Sequence, residues 1–284
     1  MTVVLADVVP LLACPHCGGG VVMAGASVRC GNGHLFDVAR QGYLSLLPGG
    51  ATAAGDTPAM AAARAAFLAT GHFGPLAGEV AACAEEAAVR AGGARCLVDA
   101  GAGTGYYLSA ALDRLAGQRG LALDVSKYAA RHAARAHPRI GAVVADVWRR
   151  WPVRDSVAGV VLNVFAPRNA AQMHRVLHPG GAVVVVTPSP AHLRELVEVL
   201  RLITVGEDKR DRLERTMSPF FRLAERRPYQ TVLALPRADM LLLAGMGPSA
   251  WHRSEAELRE RSQALPGTLP VTLAVEISVY RPRR

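Results

Sequence analysis

The stretch Leu97-Val98-Asp99-Ala100-Gly101-Ala102-Gly103-Thr104-Gly105 constrains this chain more than any other. An apolar run ends in an acidic residue and passes directly into three glycines at alternate positions. That order suits a strand that turns sharply into a helix. Glycine permits the left-handed turn and lets backbone N–H groups approach a ligand at the helix start. The surrounding sequence supports such a unit. From about residue 76 onward, apolar β-branched runs alternate with helical patterns, which predicts an α/β domain built on a mostly parallel sheet. Strands are expected at residues 96–100, 120–123, 142–145, 157–164 and 182–187, with late strands at 231–235 and 268–280. A helix is expected at 237–244, and Thr57-Pro58 reads as the N-cap and first position of an earlier one.

A dinucleotide fingerprint places its third glycine three positions after the second. Here Gly105 follows Gly103 by two, and Tyr106 stands where the dinucleotide glycine would be. The pattern D-x-G-x-G-x-G favours S-adenosylmethionine over a nicotinamide cofactor, with Asp99, Gly101 and Gly103 as candidate contacts. Asp124 comes 25 residues after Asp99 at the end of the second expected strand, placed to bind both ribose hydroxyls. Asp146 ends the third, where the adenine of this cofactor would lie; a helix cap is its alternative role.

A second constraint lies upstream. Cys14, Cys17, Cys30 and His34 follow the spacing C-x2-C-x12-C-x3-H, two pairs on two tight turns separated by a short hairpin. That is the arrangement a tetrahedral Zn²⁺ requires, and four protein ligands leave no open position for water. One structural zinc per chain is expected. His16, between the first two cysteines, is a poor geometric alternative, and free thiols in a small hairpin are the competing reading. Cys83 and Cys96 read as plain buried residues.

Five cysteines, three of them within 17 residues, do not make a secreted disulfide framework. No run of 18 apolar residues occurs, so no membrane-spanning helix is expected, and residues 1–12 lack the marks of a secretory signal. A reducing, cytoplasmic compartment follows. With 51% hydrophobic and 19% charged residues the chain can bury a real core. Its formal charge is +9, carried almost wholly by arginine, with Lys127 and Lys209 the only lysines. Residues 1–48 are neutral, whereas 127–154 hold Lys127, Arg131, Arg135, Arg139, Arg149, Arg150 and Arg154 against Asp146 alone. So one-sided a run is a candidate phosphate footprint; a solvated face in an arginine-rich proteome is the alternative.

Taken together, these residues resemble the 23S rRNA guanine-N1 methyltransferases of the RlmA type, a group that includes macrolide-resistance enzymes of tylosin and mycinamicin producers. The resemblance spans nearly the whole chain. It runs from the Cys/His cluster through His34-Leu-Phe36-Asp37, Gly42-Tyr43-Leu-Ser-Leu-Leu47-Pro48 and Gly55-Asp56 to Arg64-Ala-Ala-Phe67-Leu68 and Gly71-His72-Phe73. It continues through the glycine loop, residues 123–127, Asn163-Val164-Phe165-Ala166-Pro167, Leu177-His178-Pro179-Gly180-Gly181, Thr187-Pro188 with His192-Leu193, and Ser249-Ala250-Trp251. The glycine loop is shared by many methyltransferases; its union with the zinc cluster and the 42–48 stretch is far more specific.

The resemblance implies an N-terminal zinc ribbon (1–48), a linker and connecting helix (49–75), and a class I, Rossmann-like, S-adenosylmethionine-dependent methyltransferase domain (76–284). It implies cofactor contacts at Gly103, Thr104, Phe73 and His192. Relatives can carry Tyr where Phe73 stands, so only packing would survive there. It points to a domain II hairpin of 23S rRNA as substrate, with guanine 748 the expected target and 745 the alternative, a role in tylosin-type resistance, and a homodimer as an open option.

Guanine N1 carries a proton and lies on the Watson–Crick edge, so the target must be unpaired or flipped out. The fourth-strand motif places Asn163 and Phe165 where this fold holds an acceptor base, as candidate positioning residues; relatives differ at Asn163. No general base is identified. Trp251 could stack on a base or pack in the core. Two other functions compete: a small-molecule methyltransferase with an accessory zinc ribbon, and a non-catalytic zinc-ribbon RNA-binding protein.

Overall fold

The computed structural model describes residues 3–48, 55–92, 96–200, 209–247 and 266–283. The linker at 49–54 and the Ser249-Ala250-Trp251 motif lie outside them. The chain starts with helix α1 (Val3–Val8) and a short 3-10 turn (Val9–Leu11). Three short strands follow, β1 (Val21–Ala24), β2 (Ser27–Cys30) and β3 (Leu35–Asp37), paired antiparallel into the ribbon. Strand β4 (Tyr43–Ser45) leaves the ribbon and pairs parallel with β7 (Ile140–Val144), Leu44 opposite Val143. The ribbon is thus an excursion between two elements that belong to the larger sheet, since α1 also lies against it through buried Val8 and the Asp7–Arg119 ion pair. The elements on either side of the ribbon, α1 and β4, are thus both held to the sheet.

Helices α2 (Pro58–Ala69) and α3 (Gly74–Ala91) come next. The expected cap is present: the Met60 N–H donates to Thr57 Oγ1 at 3.2 Å, with Pro58 at the first helical position. Strands β5 (Cys96–Ala100), β6 (Arg119–Asp124), β7, β8 (Ala158–Val164) and β9 (Leu177–Pro188) alternate with α4 (Tyr106–Arg114), α5 (Lys127–Ala136) and α6 (Ala170–Val176). The last part contains α7 (Arg194–Leu200), α8 (Lys209–Met217), β10 (Phe221–Pro236), α9 (Arg237–Gly245) and β11 (Thr268–Pro282). One eight-stranded sheet results, in the order β10-β11-β9-β8-β5-β6-β7-β4; β11 runs antiparallel to β9 and to β10, and the other pairs are parallel.

Every residue of β5, β7 and β8 is buried, because helices cover both faces. Side chains alternate between two cores: Leu97, Leu162 and Val184 pack under α3, whereas Val98, Val161 and Val185 share a core with Trp151, Val21, Val28 and Phe36. The ribbon's few apolar side chains thus continue the core on one side of the sheet. Strand order reverses at β5, which has β6 on one flank and β8 on the other. In an open parallel sheet that switch point opens a crevice at the carboxyl ends of the strands.

Candidate functional site

The glycine loop lies in that crevice. Gly101, Gly103 and Gly105 all adopt left-handed φ. A Cβ on Gly101 would stand 2.5 Å from the Ala166 Cβ, so glycine there lets the loop after β8 close against the loop after β5. Gly105 (φ +79°) is the N-cap of α4, and a Cβ on it would meet the Ala133 Cα of α5 at 3.1 Å. Close helix packing accounts for the third glycine, two positions after Gly103. Gly101 and Gly103 border a cavity of about 520 Å³, which also takes in Asp99, Thr104, Asp124 and Asp146.

Its electrostatics are set by carboxylates held close together. Asp124 accepts hydrogen bonds from the N–H groups of Gly103 and Ser126, each at 2.8 Å, so loop and carboxylate orient one another. Burial pushes Asp124 up, while those two N–H groups pull it down. Asp99 is fully buried and its Oδ1 has no hydrogen-bond partner. Desolvation raises it to about 8, and the neighbouring Asp124 charge adds to the rise. Beside them stands a residue that sequence reasoning assigned no role. Arg64 of α2 lines the cavity, donates to Asp56 Oδ2 at 2.9 Å and to the Met246 carbonyl at 2.8 Å, and lies over Gly103. Only its place in a motif could have flagged it.

The other expected residues divide. Phe73 and Thr104 line the cavity; Phe73 is buried and packs edge-on against Phe67, with ring centroids 5.0 Å apart. Asp146 has two functions at once: it lines the cavity, and its carboxylate caps the following turn by accepting from the Trp148 N–H at 2.9 Å. Phe165 lines the cavity with a strained φ of +52°. Asn163 does not reach the cavity wall. It is fully buried, and its Nδ2 donates to the Ala100 carbonyl at 3.1 Å and the Pro167 carbonyl at 2.9 Å, clamping the 165–167 loop to the end of β5. Its place is behind the 165–167 loop, which lines the cavity. His192 also stands back from the cavity, its ring 5.6 Å from that of Phe165.

The basic run is not a single surface. Lys127, Arg131 and Arg135 are exposed on α5, and Arg149, Arg150 and Arg154 are exposed on the segment after β7. Arg139 instead turns inward and donates to the carbonyls of Leu112, Leu115 and Gln118. It satisfies the end of α4 and has no part in a phosphate footprint.

In the ribbon, the backbone builds two knuckles: Gly18 N–H donates to the Cys14 carbonyl and Gly33 N–H to the Cys30 carbonyl. They bring Cys14, Cys17, Cys30 and His34 together, with ligand atoms all within 4.8 Å of one another. The Cys17 and Cys30 Sγ atoms are 3.8 Å apart, and His34 Nδ1 lies 3.2 Å from Cys30 Sγ and 3.5 Å from Cys14 Sγ. Tetrahedral Zn–S bonds of about 2.3 Å require a sulfur–sulfur edge of roughly 3.8 Å, so this set fits zinc. His16 stacks on Phe36 and is not in the ligand set. Cys83 and Cys96 are buried, and burial pushes the Cys96 thiol up to about 12. The cavity fits S-adenosylmethionine on equally direct grounds. An unpartnered buried carboxylate matches its ammonium, an arginine its carboxylate, and Asp124 its ribose.

Residues 12–51 match the family described as RlmA, N-terminal, a zinc ribbon, and residues 97–181 match a methyltransferase domain. The chain is 46% identical over 276 residues to the 23S rRNA (guanine(748)-N(1))-methyltransferase of Streptomyces fradiae, covering 97% of this chain and 98% of that one. It is equally 46% identical over 291 residues to a protein named for 23S rRNA guanine-N1 methylation in Micromonospora griseorubida, covering 97% and 99%. Among solved structures, a SAM-dependent methyltransferase from Thiobacillus denitrificans is 16% identical, covering 72% of this chain and 91% of that one, with a TM-score of 0.46.

Proposed function

The chain belongs to the family of 23S rRNA guanine-N1 methyltransferases, and from that premise we propose that it methylates one guanine of a domain II hairpin, nucleotide 748. It is an S-adenosylmethionine-dependent enzyme that acts on 23S rRNA and carries a zinc ribbon. Nucleotide 745 is the alternative target. In this reading the modification contributes to resistance against tylosin-type macrolides, and the enzyme works in the cytoplasm. Among the described residues no helix is long and apolar enough to cross a membrane.

The observation that carries the reading is the cavity at the switch point, where Asp99, Asp124 and Arg64 meet the glycine loop. Bound S-adenosylmethionine supplies an activated methyl group on a sulfonium whose positive charge is lost on transfer. Asp124 would hold the ribose hydroxyls, Asp99 the ammonium, and Arg64 the carboxylate of the methionine end. Phe73 and Thr104 would exclude water from the wall beside them. The loop 165–167, aimed by Asn163, would form the wall against which the guanine edge sits. Fixing both partners in line contributes much of the acceleration, since guanine N1 is a weak nucleophile. The arginines after β7 would hold the RNA backbone, and Arg154 would do so beside the ribbon, because its guanidinium reaches the Pro10 carbonyl at 3.4 Å.

The test is incubation of the purified protein with methyl-labelled S-adenosylmethionine and a transcript of the domain II hairpin. Label on N1 of guanine 748, read as a block to reverse transcription, is expected. Label transferred to free metabolites and not to RNA would favour a small-molecule enzyme instead.

A further inference from the structure

The short segment after β7 contains two tryptophans with opposite fates. Trp151 is 1% exposed, and its indole N–H donates to the Val147 carbonyl at 2.9 Å, plugging the segment into the core beneath the sheet. Trp148, three residues earlier, is 66% exposed yet borders the same cavity as the glycine loop and Phe165. Its backbone is pinned. The Trp148 N–H donates to Asp146 Oδ1 at 2.9 Å, and Asn169 Nδ2 donates to the carbonyls of Trp148 at 2.9 Å and Arg149 at 3.3 Å. A large apolar ring held out to solvent on a fixed backbone gives up burial that folding would otherwise reward. The backbone that carries the ring is therefore ordered before any ligand arrives.

We propose that Trp148 is the stacking platform for the target guanine, receiving the unpaired base at the cavity mouth opposite Phe165. This rests on the functional reading above. Three features select a nucleic-acid base as the occupant. The face of an indole suits a planar π-system, and stacking on it is tolerant of base identity. Phe165, 38% exposed on the same cavity, presents a second ring. Arg149 and Arg150 follow directly and are both exposed, Arg149 pairing with Asp146 at 3.3 Å. Cations beside the ring complement the phosphates that flank a base. They do not complement S-adenosylmethionine, whose sulfonium and ammonium outweigh its one carboxylate. Trp148 is then a substrate-binding residue that captures the unpaired base at the cavity mouth, and it takes no part in proton transfer.

The experiment uses full-length Trp148→Ala and Trp148→Phe with the domain II hairpin transcript, and S-adenosylhomocysteine as the cofactor probe. Wild-type methylation of the hairpin is measured first; its absence would overturn the functional reading itself, before any variant is considered. Given that activity, Trp148→Ala should raise KM for the RNA roughly ten- to a hundredfold, and Trp148→Phe should recover most of the loss. S-adenosylhomocysteine affinity, by calorimetry, should stay within about twofold, as should the kcat at saturating RNA if the ring only binds. The thermal midpoint should move little, since the residue is 66% exposed. An unchanged KM in Trp148→Ala would overturn the proposal. So would a matching loss of S-adenosylhomocysteine affinity, which would place the ring over the adenine of the cofactor.

Discussion

The ribbon and the sheet hold themselves together in different ways. Between residues 14 and 37, the buried side chains are two of the ligands, Cys14 and Cys30, with Val21, Val28 and Phe36. In β5, β7 and β8, by contrast, every residue is buried, and both faces of the sheet carry a core. A segment with so few apolar contacts cannot offset its chain entropy by burial, so its fold depends on the metal. The sheet needs no cofactor to fold. Its cofactor site is a consequence of the fold, placed where strand order reverses. One cofactor is therefore architectural and the other chemical, and each should be removable without the other.

Zinc removal should give the largest effect. Structural zinc contributes about 10–16 kcal/mol to small zinc-finger peptides near neutral pH. Chelation, or Cys30→Ala, should abolish hydrogen-exchange protection at 14–37 while the amides of β5 and β8 keep theirs. Elements α1 and β4 should also stay protected, because they are bound to the sheet. Loss of protection in the sheet at the same rate would erase the distinction. Next in size is Asp124→Ala. Losing charge-assisted bonds to the ribose should weaken S-adenosylmethionine binding roughly 10- to 100-fold by calorimetry. Exchange in the ribbon and binding of RNA should not change.

The same contrast explains what could be read from the sequence. The central strands were legible to within about three residues at most ends because they are fully buried runs bounded by Asp, Gly and Pro. The metal ligands were legible because tight turns fix their spacing. Strand β4 was not: three residues carry no periodic signal, and its partner lies about a hundred positions away. Most of β10 was not legible either, since Arg222, Glu225, Arg226 and Arg227 break any apolar alternation before the expected strand at 231–235. Pairing along β11 makes that segment a strand, and ion pairs such as Arg227–Glu86 at 2.8 Å hold its charges. Side-chain direction was the other gap. Nothing in the local pattern says that Trp151 turns in and Trp148 out, that Arg139 leaves the basic run to cap α4, or that Asn163 braces a loop from behind.

Third comes the Arg149→Ala, Arg150→Ala, Arg154→Ala triple variant. Its RNA affinity should fall, and the slope of log K against log salt should flatten by about 0.7–0.9 for each phosphate no longer neutralised. S-adenosylmethionine affinity should hold. A wild-type slope would assign these arginines to solvent alone. The smallest expected effect concerns Asp99, whose carboxyl is raised from 3.8 to about 8 by burial. The folded state then keeps a proton that the unfolded state releases. Stability from this group is full below pH 4 and falls as pH rises towards 8. Asp99→Asn should flatten that decline and raise the thermal midpoint by a few degrees at neutral pH. Cofactor binding to the wild type should release a proton near neutral pH, detectable as a buffer-dependent binding enthalpy and absent in the variant.

The division of labour is tested most directly by mass mapping of 23S rRNA from cells expressing the wild-type chain, the Cys30→Ala variant, or neither. Calorimetry on the purified variant runs alongside. The account predicts one N1-methylated guanine in the domain II hairpin with the wild type only. The variant should leave the guanine unmodified while still binding S-adenosylhomocysteine, since the sheet folds without the ribbon. Wild-type levels of methylation from Cys30→Ala would show that modification of the guanine does not need the zinc-folded ribbon. No new methylguanine with the wild type would contradict the function itself.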